Sequence, residues 1–313
     1  MRFKKFGITE MNVSVVGLGA WELGGNWGPI EKEHALRLLN VAYDKGVNFY
    51  DTAPVYGFGE SEKVVGEFLK NIPREKIYIA TKCGLEWDNR GRIRNNLKKD
   101  RVLKEIDDSL KRLNTDYVDL YQIHWPDPNI SLEETAEALQ KILNDGKARY
   151  IGVSNFDSKQ IEEIYRYLKV VSTQNYYNML VRDIEKELFP IIKRYNLTVI
   201  PYSPLAKGLL TGKITEDFKP SKDDPRFDDR IFRDKKLFLE SLKKIEKLEE
   251  ICHGLGKPLS QIAINWLLCH EEISTVIVGT KNEQHLLENI YASKWEMTNE
   301  IFKKINKVLG HSQ

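Results

Sequence analysis

The feature that most restricts this chain is a recurring pattern: short apolar runs alternate with helical stretches from residue 13 to residue 291. The runs at 13–18, 47–50, 77–81, 118–124, 150–153, 170–174, 197–202 and 275–278 read as strands. Apolar residues return at helical spacing over 31–45, 61–70, 101–113, 132–144, 158–168, 184–195 and 283–291. Gly46 and Gly146 close two of these helices, where a residue without a Cβ takes the left-handed turn at low cost. Strand, helix and strand in succession demand parallel pairing with right-handed crossovers, which leaves an open doubly wound sheet or a closed barrel. Eight regular units predict closure, as a (β/α)8 TIM barrel filling residues 1–313 as one α/β domain.

Three additions to the plain barrel are expected. A hairpin of residues 3–6, a turn at Gly7 and residues 11–13 would plug the barrel floor. Residues 203–236 form a long polar loop after the seventh strand, and loops of that length are commonly functional. Extra helices are expected at 237–253 and 259–269, ahead of the eighth strand, and at 300–309 near the C-terminus. Gly17-Leu18-Gly19 near the first strand invites a Rossmann reading, but Glu22 stands where the third glycine of that fingerprint belongs. No helix begins directly after it, so a tight turn is the better reading.

Bulk properties exclude several classes of function. Charged residues make up 30% of the chain yet leave a formal net charge of only +2, without the basic excess of a nucleic-acid binder. No apolar run reaches the ~18–20 residues of a membrane span, and the basic N-terminus lacks the apolar stretch of a signal peptide. A cytoplasmic location is therefore expected. Cys83, Cys252 and Cys269 form no C-x-x-C pair, and His34, His253, His270, His285 and His311 show no ligand spacing, so no metal is expected.

Barrel enzymes carry their chemistry at the C-terminal ends of the strands. Those ends hold Asp51 with Tyr56 in the next loop, then Lys82, His124, Ser154-Asn155, Gln174 and Tyr202-Ser203. Singly, each has a structural explanation: a loop cap, a packing aromatic, a solvated charge, a hydrogen-bonded histidine. Together they make a proton-transfer set. A phenol has an ordinary pKa of ~10, and a neighbouring Lys82 ammonium would lower it towards a useful range. Asp51 would hold Lys82 charged, and His124 would donate a hydrogen bond to a carbonyl oxygen. No serine or cysteine is paired with a base by a recognised motif, which argues against acyl transfer.

Longer motifs carry a resemblance. Asp51-Thr52-Ala53 with Tyr56-Gly57, Gly59-Glu60-Ser61-Glu62, Thr81-Lys82, Gln122-Ile123-His124-Trp125 and Gly152-Val153-Ser154-Asn155-Phe156 appear in that order. Pro201-Tyr202-Ser203-Pro204-Leu205, Gly279-Thr280-Lys281 and Glu288-Asn289 complete a series that resembles the aldo-keto reductase superfamily over nearly the whole chain. The run at 206–213 is most similar to the bacterial and potassium-channel β-subunit branches. The resemblance implies a catalytic tetrad of Asp51, Tyr56, Lys82 and His124, with Tyr56 as general acid in the reduction of an aldehyde or ketone by NADPH or NADH. It also implies that Ser154, Asn155 and Gln174 hold the nicotinamide carboxamide while Tyr202 stacks on its ring. The loop bearing Ser203, Leu205, Lys207 and Gly208 would strap the pyrophosphate, with Gly279, Thr280, Lys281, His285, Glu288 and Asn289 around the adenosine end. Trp21, Trp87 and Trp125 are candidates for an apolar substrate pocket.

One departure concerns the cofactor. His285 stands where many relatives place an arginine against the 2′-phosphate of NADP, and imidazole is the weaker phosphate partner. Lys281 is expected to compensate, which favours NADPH and keeps NADH open. Two rival readings share the scaffold: a nicotinamide-binding redox sensor with little turnover, and a Schiff-base aldolase using Lys82. The aldolase needs a neutral amine, which Asp51 opposes. The expected partner is a small carbonyl substrate; neither the substrate's identity nor the oligomeric state is written in the sequence.

Overall fold

The computed structural model describes residues 1–25 and 27–310; His311 lies outside the described residues. The chain opens with an antiparallel hairpin of β1 (Phe3–Lys5) and β2 (Asn12–Ser14). Three strands follow, β3 (Val16–Gly19), β4 (Phe49–Asp51) and β5 (Tyr78–Cys83). A second hairpin, β6 (Leu85–Trp87) with β7 (Ile93–Asn95), comes next. The remaining strands are β8 (Val118–Ile123), β9 (Ala148–Ser154), β10 (Ser172–Tyr176), β11 (Thr198–Tyr202) and β12 (Val276–Val278).

Eight of these strands form one parallel sheet in the order β11-β10-β9-β8-β5-β4-β3-β12. The first and last meet just below β12, where the Val199 N–H donates to the Glu272 carbonyl at 2.7 Å and Val199 bridges Ile273. The result is a nearly closed barrel with helices outside, as the alternating pattern predicts. The outer helices begin with α1 (Lys32–Asp44), α2 (Glu60–Leu69), α3 (Lys99–Leu113), α4 (Leu132–Asn144) and α5 (Ser158–Tyr167). They continue with α6 (Asp183–Glu187), α7 (Phe189–Tyr195), α8 (Arg230–Arg233), α9 (Lys235–Leu255), α10 (Leu259–Leu268), α11 (Glu283–Tyr291) and α12 (Asn299–Val308). In α1 the buried set is Ala35, Leu38, Leu39 and Ala42, the spacing that puts one apolar stripe against the sheet.

The N-terminal hairpin closes the floor as expected. Phe6, Met11 and Val13 are buried with the inward-facing Phe49, Ala80, Leu120, Val171, Ile200 and Ile277, and the Phe6 and Phe49 rings stack at 5.6 Å. A plugged floor leaves the opposite rim as the open end.

Some expectations are corrected. The first predicted strand divides at Val15, its start serving the floor hairpin and its end the barrel. The predicted helix 184–195 is two helices broken at Leu188, because Pro190 lacks an N–H and fits only in the first turn of a new helix. The loop at 203–236 contains a tight 3-10 turn, Ala206–Thr211, and its last residues already belong to α8 and α9. Among the described residues no helix is long and apolar enough to cross a membrane.

Candidate active site

The open rim gathers what the sequence distributed over seven strand ends. Asp51 terminates β4, Lys82 is one residue from the end of β5, and His124 follows β8. Ser154 closes β9, Gln174 lies in β10, Tyr202 closes β11 and Gly279 follows β12. Tyr56 comes from the loop between β4 and α2, where Gly57, Phe58 and Gly59 all take positive φ values and turn the chain tightly. A Cβ on Gly57 would lie 2.0 Å from the Gly24 carbonyl, so this position needs glycine.

Lys82 is the hub. Its fully buried Nζ donates to Asp51 Oδ2 at 2.7 Å, to the Thr52 carbonyl at 3.0 Å and to the Tyr56 hydroxyl at 3.1 Å. The other carboxylate oxygen of Asp51 accepts from Gln174 Nε2 at 2.8 Å and Gln122 Nε2 at 3.2 Å. Burial works against the Lys82 ammonium, but the charges and hydrogen bonds of Asp51 and Tyr56 outweigh it and raise its pKa. Thr81 and Glu62 brace the strand from behind: Thr81 Oγ1 donates to Glu62 at 2.6 Å, and Arg112 Nε pairs with the same carboxylate at 2.6 Å.

Tyr56 departs from the expectation drawn from Lys82 alone. Burial raises its pKa, and the nearby ammonium offsets this only in part, so the phenol stays protonated in the unliganded protein. Burial, reinforced by Lys82, also holds His124 well below its ordinary pKa and keeps the imidazole neutral. The two rings meet edge to face with centroids 5.7 Å apart.

These groups open into a cavity of about 820 Å³ that runs along the rim. Asp51, Tyr56 and His124 line it, while Lys82 stands behind them. Trp21 and Trp125 also line it. Trp87 does not: it packs on Phe58 at 5.5 Å and borders a separate pocket of about 210 Å³. The hairpin of β6 and β7 puts Leu85 and Ile93 on the cavity wall in its place.

Along the cavity Ser154, Asn155, Gln174 and Tyr202 form a polar shelf. Ser154 Oγ donates to the Gln174 carbonyl at 2.9 Å, and Asn155 Nδ2 to the His124 carbonyl at 3.0 Å. The Tyr202 hydroxyl donates to Asn155 Oδ1 at 3.0 Å, and its ring stacks on Tyr176 at 5.5 Å. Gln174 has its side-chain amide nitrogen committed to Asp51.

Ser203, Pro204, Leu205, Lys207 and Gly208 continue the wall. Ala206, Lys207 and Gly208 take φ of 47°, 53° and 96° in succession. The Ala206 and Gly208 N–H groups donate to the Ser203 and Leu205 carbonyls at 2.9 and 3.0 Å, which closes a tight turn at the wall. Lys207 is held by the Pro225 carbonyl at 2.9 Å and Asp229 at 3.2 Å. At the far end lie Gly279, Thr280, Lys281, His285, Glu288 and Asn289. A long groove with a polar shelf and cations at one end has the shape and charge a dinucleotide needs.

Two details there alter the sequence reading. Lys281 Nζ donates to the Trp27 carbonyl at 2.5 Å, tying one rim to the other instead of standing free. Lys213, which the sequence did not single out, contacts His285 Nε2 at 3.1 Å and supplies the cation beside it. Glu22, Trp27, Arg226 and Ser260 also line the groove and were missed, since each belongs to a loop or helix without a motif of its own. Ser260 donates to Glu288. Among the described residues no His, Cys, Asp or Glu cluster fits a metal ion.

Comparison with known proteins gives a consistent picture. The profile of the Aldo/keto reductase family matches residues 15–309. "Aldo-keto reductase YhdN" of Bacillus subtilis (strain 168) is 35% identical over 315 residues, covering 100% of this chain and 95% of that protein. The "NADH-specific methylglyoxal reductase" of Escherichia coli (strain K12) is 32% identical, covering 91% of each. The solved structure of the glycerol dehydrogenase AKR11B4 from Gluconobacter oxydans superposes with a TM-score of 0.89 at 34% identity, over 98% of this chain and 95% of that one.

Proposed function

The chain belongs to the aldo/keto reductase family, and from that premise we propose that it reduces aldehydes or ketones to alcohols with a nicotinamide cofactor, Tyr56 being the proton donor. The observation that carries this reading is the Asp51–Lys82–Tyr56 chain, which ends with a phenol on the cavity wall beside a neutral imidazole. When bound, the reduced nicotinamide supplies the hydride.

The protein residues manage the proton. Lys82 donates to the Tyr56 oxygen, so the phenolic hydrogen is free to turn towards the cavity and a carbonyl oxygen there. As that hydrogen leaves, the developing phenolate finds an ammonium 3.1 Å away, and Asp51 keeps the ammonium charged and aimed. Neutral His124 has an N–H to give to the same carbonyl oxygen, which fixes its approach. Trp21 and Trp125 would exclude water and hold the apolar part of the substrate.

Ser154, Asn155 and the side-chain oxygen of Gln174 would take the carboxamide, and Tyr202 would lie against the ring. The loop bearing Ser203, Leu205, Lys207 and Gly208, which lines the groove, would strap the pyrophosphate. Lys213 beside His285 supports an NADPH preference, because it restores a cation where arginine is lacking. The Escherichia coli relative is named NADH-specific, so both cofactors belong in the test. Loss of reduced-nicotinamide absorbance is followed with aldehydes, dicarbonyls and sugars, using NADPH and NADH in parallel. Turnover is expected, faster with NADPH. Binding without turnover of any carbonyl would instead favour the sensing-subunit reading, and a borohydride-trapped adduct on Lys82 the aldolase.

A further inference from the structure

Among the described residues, Glu22 is the one carboxyl that the proposed chemistry leaves without a task and the fold sets into the nucleotide groove. It sits on the turn after β3, beside the seam where β3 pairs with β12. Its side chain lies so close over Gly279 that a Cβ built there would be 2.0 Å from Glu22 Oε2. Part of its surface opens onto the groove. No side chain gives it a hydrogen bond among the described residues; its own backbone N–H is its donor. Two groups face it: Lys281, from the loop after β12, attracts its charge, and Tyr56, from the loop before α2, feels that charge. Lys281 is itself held by the Trp27 and Gly28 carbonyls and does not close on the carboxyl.

A dinucleotide brings at least two phosphate charges into this groove. An ionised Glu22 would oppose them, whereas a neutral one has an O–H to donate. Resting on the cofactor reading above, we infer that Glu22 is a proton-linked determinant of cofactor affinity: the groove accepts the anionic dinucleotide with Glu22 protonated, so binding takes up a proton from solvent in whatever fraction of the molecules Glu22 was ionised. Burial has already lifted the free carboxyl to about 7, with its backbone hydrogen bond and Lys281 opposing the rise, so the exchange falls in the neutral range. The sign follows from linkage. A proton taken up on binding makes affinity greatest at low pH and weaker as pH rises through the free pKa, by about tenfold per pH unit beyond it. Glu22→Gln, which keeps the shape and the donor, removes the dependence and leaves the affinity at the tight, low-pH level.

The test reads binding, not turnover. NADH and NADPH are titrated by quenching of tryptophan fluorescence from about pH 6 to about pH 9 in wild type and Glu22→Gln. NADH serves because it lacks the 2′-phosphate, whose own titration falls near the low end of that range. Calorimetry of the wild type near neutral pH, in buffers of differing ionisation enthalpy, counts protons directly and does not depend on the variant folding. The expected result is proton uptake with NADH and a pH-dependent affinity that Glu22→Gln flattens. Tight binding with no proton uptake and a flat wild-type profile would overturn the inference and leave the cofactor reading intact. A dependence that persists unchanged in a folded Glu22→Gln protein would also overturn it, by assigning the proton elsewhere. Absence of binding at any pH would overturn both.

Discussion

A buried lysine is stable as a cation only while its neighbours outweigh the loss of water, and Lys82 shows this balance. Asp51 sits 2.7 Å away, and both groups are almost wholly buried. Lys82→Met would strand the Asp51 carboxylate with only two glutamine amides, and removing one partner of such a pair costs about 3–5 kcal/mol. Denaturant unfolding of that variant should show a loss of this size. A loss under ~1 kcal/mol would mean that the carboxylate is solvated or protonated once its partner is gone.

Glu105 gives a second prediction, of opposite sign. Burial lifts its carboxyl to about 7, although it accepts from the Gly84 N–H at 3.0 Å and faces Arg101. The folded protein therefore retains a proton that the unfolded chain releases, and stability at this site declines as pH rises from the ordinary carboxylate range to about 7. Glu105→Gln keeps an acceptor for Gly84 and should remove a decline on the order of 3 kcal/mol, read by unfolding at several pH values. That Asp51, Tyr56, Lys82 and His124 meet at one rim was legible in the sequence, because three of them fell at or beside strand ends and Tyr56 in the loop after the first. The protonation state of Tyr56 was not: sequence shows Lys82 as a neighbour in motif, but only the packed structure shows that burial outweighs it.

At the scale of elements, close packing of α2 on α3 holds the Tyr56 loop in place. Gly66 faces the end of α3, where a Cβ would lie 2.3 Å from the Arg112 carbonyl and 2.8 Å from the Leu113 carbonyl carbon. Alanine is the better helix former by ~1 kcal/mol, yet here the obstacle is backbone and cannot turn aside. Gly66→Ala should therefore destabilise by about 1–3 kcal/mol in thermal or denaturant unfolding. Net stabilisation would show that the two helices separate freely. Strands and helices with strong periodicity were readable from the sequence, since burial on one side imposes the pattern. The β6–β7 hairpin was not: Ile93, Arg94 and Asn95 are all exposed, so no alternation marks them. That omission also misplaced Trp87, which packs on Phe58 while Leu85 takes the wall.

Across the whole molecule, a plugged floor and an open rim make the groove the place where ligand energy enters folding. A cofactor held at about 100 times its Kd should stabilise the native state by about 2.7 kcal/mol, a rise of about 4 °C in Tm for a chain of this size. Thermal melts with and without NADPH measure it directly, and an unchanged Tm under saturation would deny a preformed site. The barrel itself was legible because eight units can close in few ways. The cation pairing at the nucleotide end was not, because Lys213 and His285 meet only when the loop after β11 folds back over α11.

The central claim is that Tyr56 gives the proton while hydride arrives. Its most direct test is a single-turnover comparison of wild type and Tyr56→Phe with cofactor prebound and one reducible aldehyde. Cofactor affinity should stay within a few-fold of wild type while hydride transfer slows by at least ~100-fold. Equal rates in the two proteins would contradict it and move the acid role to His124 or to water.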